Sequence, residues 1–133
     1  MKVFSVIGAR PQFVKAAVVS RALKKHDGVV EFLVHTGQHF DENMSRVFFD
    51  EMGIPEPSAN LGISGGGHGS MTGKMLIRIE ELIMEQKPGC VLVYGDTNST
   101  LAGALAASKL NVLCAHIEAG LRSDNRAMPE EIN

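Results

Sequence analysis

Four short apolar runs, each closed by a glycine-containing polar turn and separated by helix-patterned stretches, constrain this chain more than any other feature. The runs are Val3–Ile7, Val29–His35, Cys90–Tyr94 and Val112–Ile117. Near-continuous apolar runs of this length fit strands buried on both faces of a parallel sheet. Between the first two, Pro11 opens a helix, because its missing N–H needs no partner there. Val14, Ala17, Val18, Arg21 and Ala22 follow at helical spacing, and His26-Asp27-Gly28 stops the helix. After the second run, Asp41 is a candidate N-cap for a helix with Met44, Val47, Phe48 and Met52 inward, ended at Gly53-Ile54-Pro55. Residues 58–69 read as loop. Ser70 caps a helix whose apolar stripe is Met71, Met75, Leu76, Ile79, Leu82 and Ile83, ended by Lys87-Pro88-Gly89. Thr100–Leu110 is an Ala- and Leu-rich helix before the last run. The order β-α-β-α-α-β-α-β implies an α/β fold with helices on both faces of a mostly parallel sheet and right-handed crossovers.

Composition removes several classes of function. The chain has 133 residues, with 13 Lys+Arg against 15 Asp+Glu, a formal net charge of −2. That length fits one domain, and the charge balance lacks the basic footprint of a nucleic-acid binder. No stretch supplies the ~18 consecutive apolar residues of a membrane span. Arg10 closes the first apolar run where a signal peptide would carry small neutral residues, so a cytoplasmic location is expected. Cys90 and Cys114 lie in apolar runs and read as reduced, buried thiols, with no disulfide or metal pair. The stretch Gly65–Lys74 imitates a P-loop, but His68 stands where its first glycine belongs and Met75 where Ser or Thr would bind the metal. Gly67 and Gly69 are followed by Thr72, which breaks the dinucleotide fingerprint. No cofactor is expected.

Ligands of open parallel sheets bind beyond the carboxyl ends of the strands, and the polar clusters of this chain fall there. Arg10, Gln12 and Lys15 follow the first strand, and Gln38 and His39 the second. Asp96, Thr97, Asn98 and Ser99 follow the third. Glu118 and Arg122, then Glu130 and Glu131, follow the fourth. A tight Gly8 turn into a helix start offers N–H groups to an anion, and Arg10 adds a planar donor. Asp96 alone reads as an N-cap for the next helix or as a general base. Glu118 ends an apolar strand, where partial desolvation suits acid/base work; an ion pair to Arg122 is the competing account. His116 reads as a satisfied core or rim histidine.

Taken together, these motifs resemble the non-hydrolysing UDP-N-acetylglucosamine 2-epimerases. The matching pieces are Gly8-Ala9-Arg10-Pro11 with Lys15, Thr36-Gly37-Gln38-His39, Gly95-Asp96-Thr97-Asn98-Ser99-Thr100, His116-Ile117-Glu118-Ala119-Gly120-Leu121-Arg122 and Pro129-Glu130-Glu131-Ile132-Asn133. The resemblance implies the N-terminal Rossmann-like half, 1–133, of a two-domain glycosyltransferase-B-like enzyme, a homodimer when complete, whose C-terminal UDP-binding domain is absent. The final motif reads as unfinished, and the chain alone is expected to be inactive. The implied reaction interconverts UDP-GlcNAc and UDP-ManNAc by elimination of UDP and its re-addition. By the same resemblance, Asp96, Glu118 and Glu130 transfer protons and Arg10 and Lys15 serve the diphosphate. Gln38, His39, Thr97, Asn98, Arg122 and Glu131 complete the substrate site. Phe40-Asp41 and the Gly65–Gly69 loop are closer to relatives acting on a UDP-diacetamido-glucuronic acid, for which His68 or Lys74 would add donors. Two further readings stay open: a hydrolysing outcome, and a stand-alone flavodoxin-like phospholigand-binding domain.

Overall fold

The computed structural model describes residues 1–37, 49–51 and 53–133. Gln38, His39, Phe40 and the helix expected from Asp41 lie outside the described residues, apart from helical residues 49–51. Five parallel strands form one sheet: β1 (Lys2–Ile7), β2 (Val30–His35), β3 (Ala59–Asn60), β4 (Cys90–Tyr94) and β5 (Leu113–Ile117), in the order β3-β2-β1-β4-β5. The helices that bear on the site are α1 (Arg10–Leu23), α2 (His68–Gln86), α3 (Asn98–Lys109) and α4 (Pro129–Ile132). β1 is central, pairing Val6 with Val34 on one side and with Val93 on the other. The register then carries Tyr94 opposite Ile117, so the strand ends line up along one edge.

Alternation along the strands builds a core on each face. Phe4, Val6, Val34, Val91 and Val93 pack against Met75, Ile79 and Ile83 of α2 and Ala102, Ala106 and Ala107 of α3. The opposite face presents Val3, Ile7, Leu33, Leu92 and Tyr94 to Phe13, Ala16 and Ala17 of α1, with Phe49 and Ile54 closing it. Gly103 is needed on α3: a Cβ there would lie 2.9 Å from Val93 Cγ1 and 3.2 Å from Val6 Cγ2. The glycine therefore lets the helix ride close to the sheet.

Several expectations are corrected. The buried face of α1 is Gln12, Phe13, Ala16, Ala17 and Ser20. Val14 and Val18 are 46% and 57% exposed, and Arg21 and Ala22 also face out. The segment read as loop contains β3, bonded to β2 through Val34 and His35. It also contains the start of α2, which is capped by Gly67 rather than Ser70. The Gly-rich stretch therefore follows a strand of two residues. Helix α3 starts at Asn98, two residues earlier than the Ala/Leu pattern suggests. Cys90 is buried but Cys114 is exposed on β5, and both are free thiols. An edge strand has one neighbour only, and Leu113 in β5 is 68% exposed. Among the described residues no helix is long and apolar enough to cross a membrane.

Beneath α1 lies a polar knot. Ser5 Oγ donates to Glu31 Oε1 at 2.5 Å, while the buried Tyr94 hydroxyl has no hydrogen-bond partner among the described residues. Burial drives the Tyr94 phenol far above its ordinary range; the Glu31 charge adds to this and the Ser5 hydroxyl offsets it slightly. Tyr94→Phe deletes this orphaned donor while keeping the ring. It is expected to change unfolding free energy by under about 1 kcal/mol, or to stabilise. Urea unfolding of the full-length protein checks this.

Candidate functional site

The carboxyl edge of the sheet is assembled by one buried glutamine. Gln12 stands at the third helical position of α1, where a side chain can reach back to unpaired N–H groups. Its Oε1 accepts from the Gly8 and Ala9 N–H groups at 2.8 and 3.2 Å. Its Nε2 donates to Tyr94 O at 2.7 Å and to Thr97 Oγ1 at 2.9 Å, with Thr100 Oγ1 at 3.4 Å. The turn after β1 and the turn after β4 are therefore held by a single amide. A second tie crosses from β2 to α3: Thr36 Oγ1 and Ser99 Oγ are 2.8 Å apart. Gly8 lies against that pair, and a Cβ on it would come within 2.1 Å of Ser99 Oγ and 2.4 Å of Thr36 Oγ1. Only glycine lets the three loops meet this closely.

The candidate residues sit around this framework. Arg10 is the first residue of α1 and exposed. Lys15, one turn further on, forms an ion pair with Glu118, each side chain being about one-third exposed. The competing account of a Glu118–Arg122 pair is thereby set aside in favour of Lys15, because the order β1-β4-β5 brings the first and last strand ends to the same edge. Glu118 has a φ of +63°. A non-glycine residue in that region is strained, and such residues cluster where a site fixes a side chain. The Glu118 carboxylate and the Gln12 amide are both the nearest neighbours of a Cβ built on Gly95, at 3.8 Å. His116 Nε2–H donates to Gly95 O at 2.6 Å, as fits a satisfied rim histidine.

Asp96 is half-buried in the turn after Gly95 and is not the N-cap of α3; Thr97 is. Asn98 Nδ2 donates to His68 Nδ1 at 3.0 Å, which joins the Gly-rich segment to this edge. Lys74 is exposed on α2. Arg122 pairs with Glu131 and not with Glu118. Asn133 Nδ2 donates to Asp96 O at 2.8 Å, so the last residues dock on the β4–α3 turn. Glu130 is half-buried in α4. Gln38 and His39 lie outside the described residues. Sequence reasoning placed Gln12 and Ser99 among the polar clusters without a role; the capping position of Gln12 was the available signal.

A match to a family model decides the family: the model described as UDP-N-acetylglucosamine 2-epimerase matches residues 21–133. The chain belongs to that family. It is 65% identical to the UDP-2,3-diacetamido-2,3-dideoxy-D-glucuronate 2-epimerase of Pseudomonas aeruginosa, over 100% of this chain and 38% of that protein. It is 51% identical to the UDP-N-acetylglucosamine 2-epimerase of Methanocaldococcus jannaschii, over 100% of this chain and 36% of that protein. A crystal structure of the Methanocaldococcus enzyme in complex with UDP-GlcNAc and UDP superposes with a TM-score of 0.94 at 51% identity, covering 100% of this chain and 36% of that one. The chain spans little more than a third of the length of these relatives.

Within this 2-epimerase family member, Glu131 has the most heavily bonded carboxylate of the described site. Hydrogen bonds from Arg122 and the Ser123 backbone hold it below the ordinary carboxylate range, against desolvation that pushes it up; the Asp124 N–H adds to the lowering. A depressed folded-state pKa contributes stability above the unfolded value, and that contribution is lost as pH falls through the depressed value. Acidification below the ordinary carboxylate range is therefore expected to release the 122–131 segment. NMR titration of the Glu131 side-chain carbon checks this, and Glu131→Gln should remove that acid transition.

Proposed function

We propose that this chain is the N-terminal Rossmann-like lobe of a cytoplasmic, homodimeric, two-domain UDP-sugar 2-epimerase that interconverts UDP-GlcNAc and UDP-ManNAc. The observation that carries the reading is the convergence of Lys15, Glu118 and Asp96 on one sheet edge in a chain of the 2-epimerase family. Inversion at C2 needs one group to take the C2 proton and another to return a proton on the opposite face. It also needs cations for the diphosphate that leaves C1 as the C2–H bond breaks. Glu118, Asp96 and Glu130 supply the carboxylates, and Arg10 and Lys15 the cations. Lys15 is paired with Glu118, so its ammonium stands beside a proposed proton-transfer group. Thr97, Asn98, Gln38 and His39 complete the sugar and nucleotide contacts.

A second substrate has specific support. The 65% identical relative is named for a UDP-diacetamido-glucuronate, and His68 meets Asn98 at the same edge. Because Asn98 Nδ2 is a donor, His68 Nδ1 accepts, which leaves Nε2–H as an added donor on an exposed residue. The test incubates the full-length protein with each UDP-sugar in heavy water. Deuterium at C2 and an inverted product are expected. Free sugar as first product would instead indicate the hydrolysing outcome. No exchange with either sugar, together with phospholigand binding by the 133-residue chain alone, would favour the flavodoxin-like binding domain. The isolated chain is expected to be inactive.

A further inference from the structure

The Arg122–Glu131 pair supports an inference that rests on the epimerase reading and extends it. The Glu131 side chain is 5% exposed, whereas that of Arg122 is 69% exposed. Glu131 Oε1 accepts from Arg122 Nε at 3.1 Å, Ser123 N–H at 2.8 Å and Asp124 N–H at 3.1 Å. Its Oε2 accepts from Arg122 Nη2 at 2.7 Å. Each carboxylate oxygen has about two lone-pair sites; Oε1 is saturated by three donors, and Oε2, bonded to Arg122, belongs to a side chain too little exposed for a ligand to reach easily. Its partner is different. The contacts use the Nε and Nη2 edge of the guanidinium, so Nη1 and the second Nη2 hydrogen take no part in them, and the side chain as a whole is largely exposed.

An arginine on a mobile side chain loses rotamer freedom when it binds an anion. Here that ordering is already imposed by a carboxylate with little solvent exposure whose own position is set by two backbone N–H groups. The remaining edge is a planar fork, the geometry that matches an oxyanion. The Asn133–Asp96 contact ties the same segment to the turn that carries a proposed proton-transfer group. We propose that Glu131 is a positioning residue, not a substrate ligand, and that it holds Arg122 as a preformed fork for an anionic group of the sugar nucleotide. That group is a phosphate of the diphosphate or a carboxylate on the sugar, which share the same recognition chemistry.

The test uses the full-length enzyme with UDP-GlcNAc, which carries only the diphosphate, and UDP-2,3-diacetamido-2,3-dideoxyglucuronate, which adds a carboxylate. Arg122→Gln keeps a donor toward Glu131 and so preserves the fold of the segment. It is expected to raise KM about tenfold to a hundredfold, the range for losing a hydrogen bond to a charged group, with kcat and Tm nearly unchanged. An equal rise for both sugars identifies the diphosphate; a rise confined to the acid identifies its carboxylate. Arg122→Ala should be rescued by millimolar guanidinium, and adding Glu131→Gln should abolish the rescue, because the carboxylate that seats the ion is gone. An unchanged KM in Arg122→Gln overturns the proposal, as does rescue that persists without Glu131. Wild-type enzyme that exchanges no C2 hydrogen with either sugar overturns the epimerase reading itself, and this inference with it.

Discussion

Replacing Glu118 or Asp96 by its amide in the full-length protein is expected to lower kcat by about 10²–10⁴-fold, the usual contribution of a positioned acid or base. The structure separates this loss from a loss of folding. Asp96 is not the cap of α3, so Asp96→Asn removes no capping bond. Glu118→Gln loses the Lys15 pair, but a partly exposed pair of this kind contributes about 0–1 kcal/mol. Tm should therefore move by only a few degrees in either variant. Glu118→Gly sharpens the test. With φ at +63° the backbone favours glycine there, so that substitution relieves strain while deleting the carboxylate. Equal or higher Tm with turnover lost would show that the strained glutamate is kept for chemistry. Unfolding of all three variants, with turnover per folded molecule unchanged, would instead assign Asp96 and Glu118 a structural role.

How far the sequence disclosed this arrangement depended on whether a residue's partner was local. β1 and β4 were legible because parallel strands covered on both faces must be continuously apolar, and β4 matched residue for residue; β5 carries the same apolar pattern although its residues are mostly exposed. Helix α1 was placed but rotated: its inward face includes Gln12 and Ser20, so apolar periodicity picked Val14 and Val18, which lie outside. Two-residue β3 was hidden in a glycine-rich stretch too short for any period. At the edge, the placement of the polar residues after β1, β4 and β5 was legible because parallel strands put all their carboxyl ends on one side. Their pairing was not. Lys15–Glu118 and Arg122–Glu131 follow from strand order and from the path of the final segment, neither of which a local pattern records. The N-cap reading of Asp96 missed by one residue, because the neighbouring Thr97 is also a good capping type and is the cap in the structure.

The largest stability effect is expected at Gln12, a residue with no apolar surface to recommend it. Gln12→Ala leaves the buried Gly8 and Ala9 N–H groups without their acceptor and removes the donor shared by Tyr94 O and Thr97 Oγ1. Each buried group left unpaired costs about 1–3 kcal/mol, so a loss of roughly 3–5 kcal/mol is expected on urea unfolding of the full-length protein. Thr100 Oγ1 still donates to Tyr94 O at 2.6 Å, which keeps the loss from being larger. Gln12→Glu separates the two halves of the role. Its carboxylate still accepts from Gly8 and Ala9, but its second oxygen faces the Tyr94 carbonyl where a donor is required. Stability should therefore fall in the order Gln, Glu, Ala. A loss under about 1 kcal/mol in Gln12→Ala would mean that the turns are held by Thr36–Ser99 and backbone contacts alone. The expected order has a functional consequence, because this amide sets the separation between the turn that carries Arg10 and the turn that carries Asp96. In Gln12→Glu, which keeps the helix start but disturbs the β4 turn, kcat should fall further than the stability loss accounts for.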